Sequence, residues 1–187
     1  MLQTMHDMEH QKSLFKQAAD WGLPFGIYLS VMASGFIFSD KHIAISAFAL
    51  AMVLVIPFLI YRWLKKRYNA EGGKSSFSNL WMMGILIFMG GSLIASGVSY
   101  AVIEFLRPNY FYEQAQHLIT QYEQAPEQFA GNMEEVISLL RLVIEKHAAP
   151  RSVELALTGF WACSFAGSLL SALIAALIKL TGKPHND

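Results

Sequence analysis

Charge is scarce in this sequence. Asp, Glu, Lys and Arg make up 15% of its 187 residues, where a water-soluble domain carries nearer about a quarter. Acids and bases cancel to a formal net charge of zero. That leaves no global attraction for nucleic acid or for a strongly charged partner. Cysteine is almost missing too. The single Cys163 lies in an apolar stretch, which excludes an intrachain disulfide framework and reads as a small buried thiol. The first twenty residues lack the features of a cleavable leader. They contain Asp7, Glu9 and Asp20, and show no basic start, apolar run or small-residue cleavage site. The first apolar stretch is therefore expected to be retained as an anchor.

What is abundant is apolar sequence, and it is clustered. Hydrophobic residues make up 54% of the chain and the mean hydropathy is +0.36. A helix needs about 20 mostly apolar residues to cross about 30 Å of hydrocarbon. Four stretches qualify: Trp21 to Phe38, Ile43 to Tyr61, Leu80 to Phe105 and Leu155 to Ile178. Only Ser39, Asp40, Lys41 and His42 separate the first two, which predicts an antiparallel hairpin with Asp40 capping the second helix. Pro57 predicts a kink in that helix. No alternating strand pattern is present, and backbone groups in lipid must be satisfied internally. The expected fold is all-α: a four-helix transmembrane bundle forming a single membrane domain over residues 1–187. A helical hairpin over residues 106–154 is inserted between spans three and four, on the extracytoplasmic side.

Small residues recur every four positions in three spans: Gly22, Gly26, Ser30 and Ser34; Gly91, Ala95 and Ser99; Gly159, Cys163, Gly167, Ser171 and Ala175. This spacing lets helix backbones approach closely, within one chain or between chains. The basic residues are uneven. Lys12, Lys16, Arg62, Lys65, Lys66, Arg67, Lys74, Lys179 and Lys183 fall on one side of the expected membrane, and Lys41, Arg107, Arg141, Lys146 and Arg151 on the other. The positive-inside rule then puts both termini in the cytoplasm. Trp21, Trp63 and Trp81 near that side fit an interfacial belt. The tail from Leu2 to Ala19 admits two readings, an interfacial helix or a loosely ordered segment.

The insertion is acidic and predicts two amphipathic helices. The first runs over about Tyr110 to Gln124, with Phe111, Ala115, Leu118, Ile119 and Tyr122 on one face. The second runs over about Met133 to His147, with a stripe of Val136, Leu139, Leu140 and Val143. Asn132 with Glu135 resembles a capping box at its start.

Sites of chemistry are few. Glu104 is the one charge inside a span, a functional candidate by default. Helical spacing puts Tyr100 and Arg107 on its face, so Tyr100, Glu104 and Arg107 are the candidate ligand residues. A local Glu104–Arg107 pair is the structural alternative. Arg62, Lys65, Lys66 and Arg67 are candidates for binding anionic lipid headgroups, or serve only as a topology signal. Gly72-Gly73-Lys74-Ser75 suggests a phosphate loop, but Tyr68 stands where that loop needs glycine. The segment reads instead as a turn, with Ser75 or Ser76 capping the third helix. His6, Glu9 and His10, Glu113 and His117, and Glu145 and His147 each lack a third ligand. No histidine accompanies the serines of the spans. No metal, cofactor or catalytic set is expected, and the chain is not expected to be an enzyme.

Several stretches carry a resemblance: Tyr61-Arg62, Gly72-Gly73, Ser76-Phe77, Leu93-Ile94-Ala95, Tyr100, Pro108, Ser171-Ala172-Leu173-Ile174 and Lys179. Over Gly22 to Lys183 the chain resembles domain of unknown function 4199, small four-helix inner-membrane proteins mainly from Bacteroidota. The resemblance implies a multi-pass protein of the bacterial inner membrane and carries no activity. The function expected first is a non-catalytic accessory or scaffold subunit of a cell-envelope complex. Its small-residue faces and acidic insertion would contact protein partners or a second copy. The alternative is a small protein that binds or transports a lipid or lipid-linked sugar, with its site between insertion and bundle near Tyr100, Glu104 and Arg107. Membrane lipid is the partner common to both.

Overall fold

A computed structural model of the chain describes residues 2–40, 42–126 and 133–182. Every regular element among them is helical: α1 (Leu2–Ile37), α2 (Ile43–Ala70), α3 (Phe77–Ala101), a π-helical turn (Val102–Leu106), α4 (Tyr110–Gln124), α5 (Met133–Glu145) and α6 (Ser152–Thr181). The chain divides into two compact units, Met1–Ser99 with Leu157–Asp187, and Tyr100–Ala156.

In the larger unit, four helices contribute to one core. Phe25 and Leu29 of α1 meet Ile56, Ile60 and Leu64 of α2, Leu80, Met83 and Ile87 of α3, and Ala175 and Ile178 of α6. The inner face of α2, Ala49, Met52, Ile56, Ile60 and Leu64, repeats every three to four residues, the spacing of a ridge that fits a neighbouring groove. The small residues supply the grooves. A Cβ on Gly26 would stand 2.7 Å from Ile94, one on Gly91 2.7 Å from Phe25, and one on Gly35 3.2 Å from the Cβ of Ala49. Gly84 faces Ser171 and Gly167 faces the Phe88 ring in the same way. Polar ties cross the same contacts. The Ser92 and Ser164 hydroxyls lie 2.9 Å apart, Trp81 Nε1 donates to the Ser168 carbonyl at 3.1 Å, and the Tyr28 hydroxyl donates to the Met52 carbonyl at 2.5 Å. Trp21 and Trp63 stack with centroids 6.2 Å apart.

The outward side of this unit is apolar. Leu54 is 75% exposed, Phe165 70% and Leu173 71%. Three helices among the described residues are long and apolar enough to cross a membrane: Ile43–Ala70, Phe77–Leu106 and Ser152–Thr181. Only 22–28% of their most apolar windows is buried. Packing that leaves most of an apolar helix outside the core suggests a membrane protein, with lipid as the solvent of that surface. The first expected span, Trp21 to Phe38, lies in α1 but for Phe38. There Gly22, Pro24, Gly26, Tyr28, Ser30, Ser34 and Gly35 dilute the apolar content, and α1 does not join the other three by length and composition.

Several boundaries differ from the sequence expectation. The tail before Trp21 is helical and continuous with the rest of α1. Helix α2 runs nine residues past Tyr61, because Arg and Lys are good helix formers and Leu64 and Tyr68 keep its inner face apolar. Its N-cap position is taken by His42, not Asp40, and His42 makes no side-chain cap. Pro57 is accommodated inside α2 without ending it. Ser76 caps α3 as expected, its hydroxyl accepting the Asn79 N–H at 3.2 Å. Gly72 and Gly73, at φ +61° and +78°, make the preceding turn in the left-handed region that favours glycine.

The smaller unit contains the pair α4 and α5. Phe111, Ala115, Leu118, Ile119 and Tyr122 are all at least partly buried, as their spacing predicts. For α5 the expected stripe is rotated. Ile137 is buried and Met133, Leu140, Val143 and Ile144 partly so, while Val136 and Leu139 are exposed. The helix has apolar residues on two adjoining faces, and its own sequence cannot say which one a neighbour covers. Helix α5 closes with Ala148 N–H on the Val143 carbonyl and His147 N–H on the Ile144 carbonyl, His147 taking φ +50° where glycine is usual. The capping start at Asn132 lies outside the described residues.

Candidate functional site

The site is built where α3 ends. After Ala101 the helix widens into the π turn, and Arg107 N–H reaches back to the Val102 carbonyl at 3.1 Å. A π turn inserts an extra residue, rotates the residues after it, and recurs at functional sites. Pro108, with no N–H, ends the helix, and a turn closed by Tyr110 N–H on the Arg107 carbonyl at 2.9 Å leads into α4. The α-helical spacing that placed Tyr100, Glu104 and Arg107 on one face therefore fails at its last step.

Arg107 is 6% exposed. Its guanidinium pairs with Glu113 on the first turn of α4 and lies 5.5 Å from the Tyr110 ring centroid. The local pair expected between Glu104 and Arg107 gives way to this longer one. Arg107 fastens the start of α4 to the end of α3, and the extra π residue is what turns it toward Glu113.

Tyr100 and Glu104 meet elsewhere. Both line a cavity of about 410 Å³ within the smaller unit, with Ile103, Pro108, Phe111 and Tyr112 on one side and Ala149 to Val153 on the other. Arg151 sits among the latter, so an acid and a base of opposite sign border one space walled by three aromatic rings. The start of α6 fixes that wall. Arg151 N–H donates to the Glu154 carboxylate at 3.1 Å and Glu154 N–H to the Arg151 carbonyl at 2.9 Å, a reciprocal cap. Arg151, Phe111 and Tyr112 were not among the sequence candidates. Only the Arg151-x-x-Glu154 spacing hinted at an ordered Arg151, and nothing local links it to Glu104, 47 positions earlier.

The basic cluster at the end of α2 separates. Arg62, Lys65 and Lys66 are exposed, whereas Arg67 is 3% exposed. Its guanidinium lies 2.7 Å from Glu71 and donates to the Gln17 side chain at 2.9 Å, while Nε finds no partner. Glu71 also accepts from the Ser75 hydroxyl. Lys179 Nζ donates to the Ser75 carbonyl at 3.1 Å and lies over the Tyr68 ring. Together these contacts tie α1, α2, the turn after it and α6 at one end of the larger unit.

Among the described residues no three of His, Cys, Asp and Glu converge where a metal ion could sit. The side chains of His6, Glu9 and His10 lie outside them. Neither the curated proteins nor the solved structures yield a match. A family model does match, over residues 20–179, and that span covers nearly every side chain that builds the two sites above. The chain belongs to the family described as Protein of unknown function (DUF4199).

Proposed function

We propose that this chain is a non-catalytic, four-span protein of the bacterial inner membrane. We further propose that it holds a lipid or lipid-linked sugar in the cavity bordered by Glu104 and Arg151. One observation carries the reading: a carboxylate, a guanidinium and the rings of Tyr100, Phe111 and Tyr112 around a single cavity at a π turn. Aromatic faces stack on sugar rings. A carboxylate accepts sugar hydroxyls, and arginine binds phosphate oxygens in a bidentate fork. Such a set suits a sugar phosphate better than a bare acyl chain. The probe is a polyprenyl phosphate carrying one sugar, titrated onto the full chain in nanodiscs. Glu104→Gln and Arg151→Gln should each weaken binding about tenfold to a hundredfold, the worth of one charge-assisted hydrogen bond. Unaltered affinity in both variants, or no binding by the unmodified chain, would sink the reading.

A second reading, contact with a partner protein of the cell envelope, is favoured by α5. Val136, Leu139 and Leu142 leave an exposed apolar face there, 43%, 55% and 43% exposed. The small-residue stripes support it less, since Gly26, Gly91 and Gly167 already face neighbouring helices of the same chain. Pulldown in mild detergent with Leu139→Glu as the control separates the two readings. A partner lost in that variant supports the contact, and a bare monomer counts against it.

A further inference from the structure

The end of α2 sorts its bases into an inner and an outer set. Glu71 is the sole acid between Arg62 and Lys74. One of its oxygens is taken by Arg67 and the other by Ser75. The negative charge that could neutralise the outer bases is thus already engaged by the inner set. Arg62, Lys65 and Lys66 remain exposed on adjacent turns, with no ion pair among the described residues. Lys65 Nζ is steadied by the Tyr61 hydroxyl at 2.9 Å. These three bases, with Phe58, Tyr61 and Asn69, line an open cavity of about 470 Å³.

The same side of the helix becomes apolar toward its middle. Leu50, Leu54 and Phe58 are 59%, 75% and 62% exposed. At four-residue spacing they run into Arg62 and Lys66 as one ridge that winds slowly about the helix, each side chain beside the next. An apolar rail that ends in a cationic cavity has the polarity of a phospholipid.

We propose that this face binds an anionic phospholipid of the membrane, its headgroup phosphate against Arg62, Lys65 and Lys66 and an acyl chain along Leu50, Leu54 and Phe58. Charge complementarity selects the occupant: three uncompensated cations favour an anionic over a zwitterionic headgroup. A segment that only biased topology would need neither a lined cavity nor a rail running into it. The site is separate from the cavity at Glu104 and stands or falls without it.

The test is native mass spectrometry of the full chain, released from detergent with phosphatidylglycerol or phosphatidylcholine added. Phosphatidylglycerol should be retained about tenfold more than phosphatidylcholine. A variant carrying Arg62→Gln, Lys65→Gln and Lys66→Gln should lose that preference, while Lys74→Gln, outside the cavity, keeps it. Millimolar inorganic phosphate should not displace the lipid. Equal retention of the two lipids by the unmodified chain overturns the proposal, and that comparison holds even if the triple variant fails to insert. A triple variant with its preference intact overturns it too. Full displacement by inorganic phosphate would make this a small-anion site and also overturns it.

Discussion

Arg67 faces the interior between Lys66 and Tyr68 because α2 keeps its inner face every three to four residues through Ile60, Leu64 and Tyr68. Position 67 falls on that face. A buried guanidinium is tolerable only with charge and hydrogen-bond partners, and Glu71 and Gln17 supply them. Removing it leaves Glu71 with only Ser75 and opens a space. Arg67→Leu should therefore lower unfolding stability in detergent by about 2 kcal/mol, less than a fully buried pair would lose because Glu71 is partly exposed. Arg67→Lys should recover less than half of that, since one ammonium cannot reach both partners in the geometry of a planar fork. Thermal unfolding of the three proteins in one detergent checks both values. Full stability in Arg67→Leu would show that the contacts to Glu71 and Gln17 add nothing. The presence of a cationic cluster was legible in the sequence. Its division was not, because the partner of Arg67 on α1 stands 50 positions away.

Among the elements, glycine separates helix faces that pack from those that do not. Gly91 of α3 presses toward Phe25, which is fully buried, and toward the Gly26 backbone. Gly97 of the same helix has open space around it. Gly91→Ala must push a ring that has nowhere to go, at a cost of about 1–3 kcal/mol. Gly97→Ala adds a methyl to free space and removes backbone freedom, so it should be neutral or stabilising by up to about 1 kcal/mol. Unfolding by graded sodium dodecyl sulfate measures the pair side by side. Equal losses would mean that close helix approach is not what Gly91 provides. The four-residue repeat of small residues was visible beforehand. Which repeats face a neighbour in the same chain was not, and α5 repeats the lesson. Its two adjoining apolar faces are equivalent by spacing, and the one through Ile137 is covered only because α4 lies there.

For the whole molecule, the apolar outward side of the larger unit reverses the usual arrangement of a protein in water. Leu54, Phe165 and Leu173 are more exposed than the side chains of the core they surround. Lipid as the solvent explains both this and the scarcity of charge. The proposed topology, four crossings with cytoplasmic termini, would put Lys65 and Leu140 in opposite compartments. With Cys163→Ser as background, Lys65→Cys should react with a membrane-impermeant maleimide only in inverted vesicles, and Leu140→Cys only in intact cells. Labelling of both from one side would mean that α3, the helix between them, does not cross the membrane.

By itself the sequence determined the solvent, the helical class and the positions of most elements. Hydropathy, 3.6-residue periodicity and helix-ending prolines are properties of residues close along the chain, and they act before any tertiary contact forms. Tertiary structure alone decided that Arg107 pairs with Glu113 across Pro108, that Arg67 leaves its basic neighbours, and that Arg151 joins Glu104 at one cavity. Each of these depends on where a π turn, a reverse turn or a second helix directs a side chain through space, and no local pattern encodes that direction.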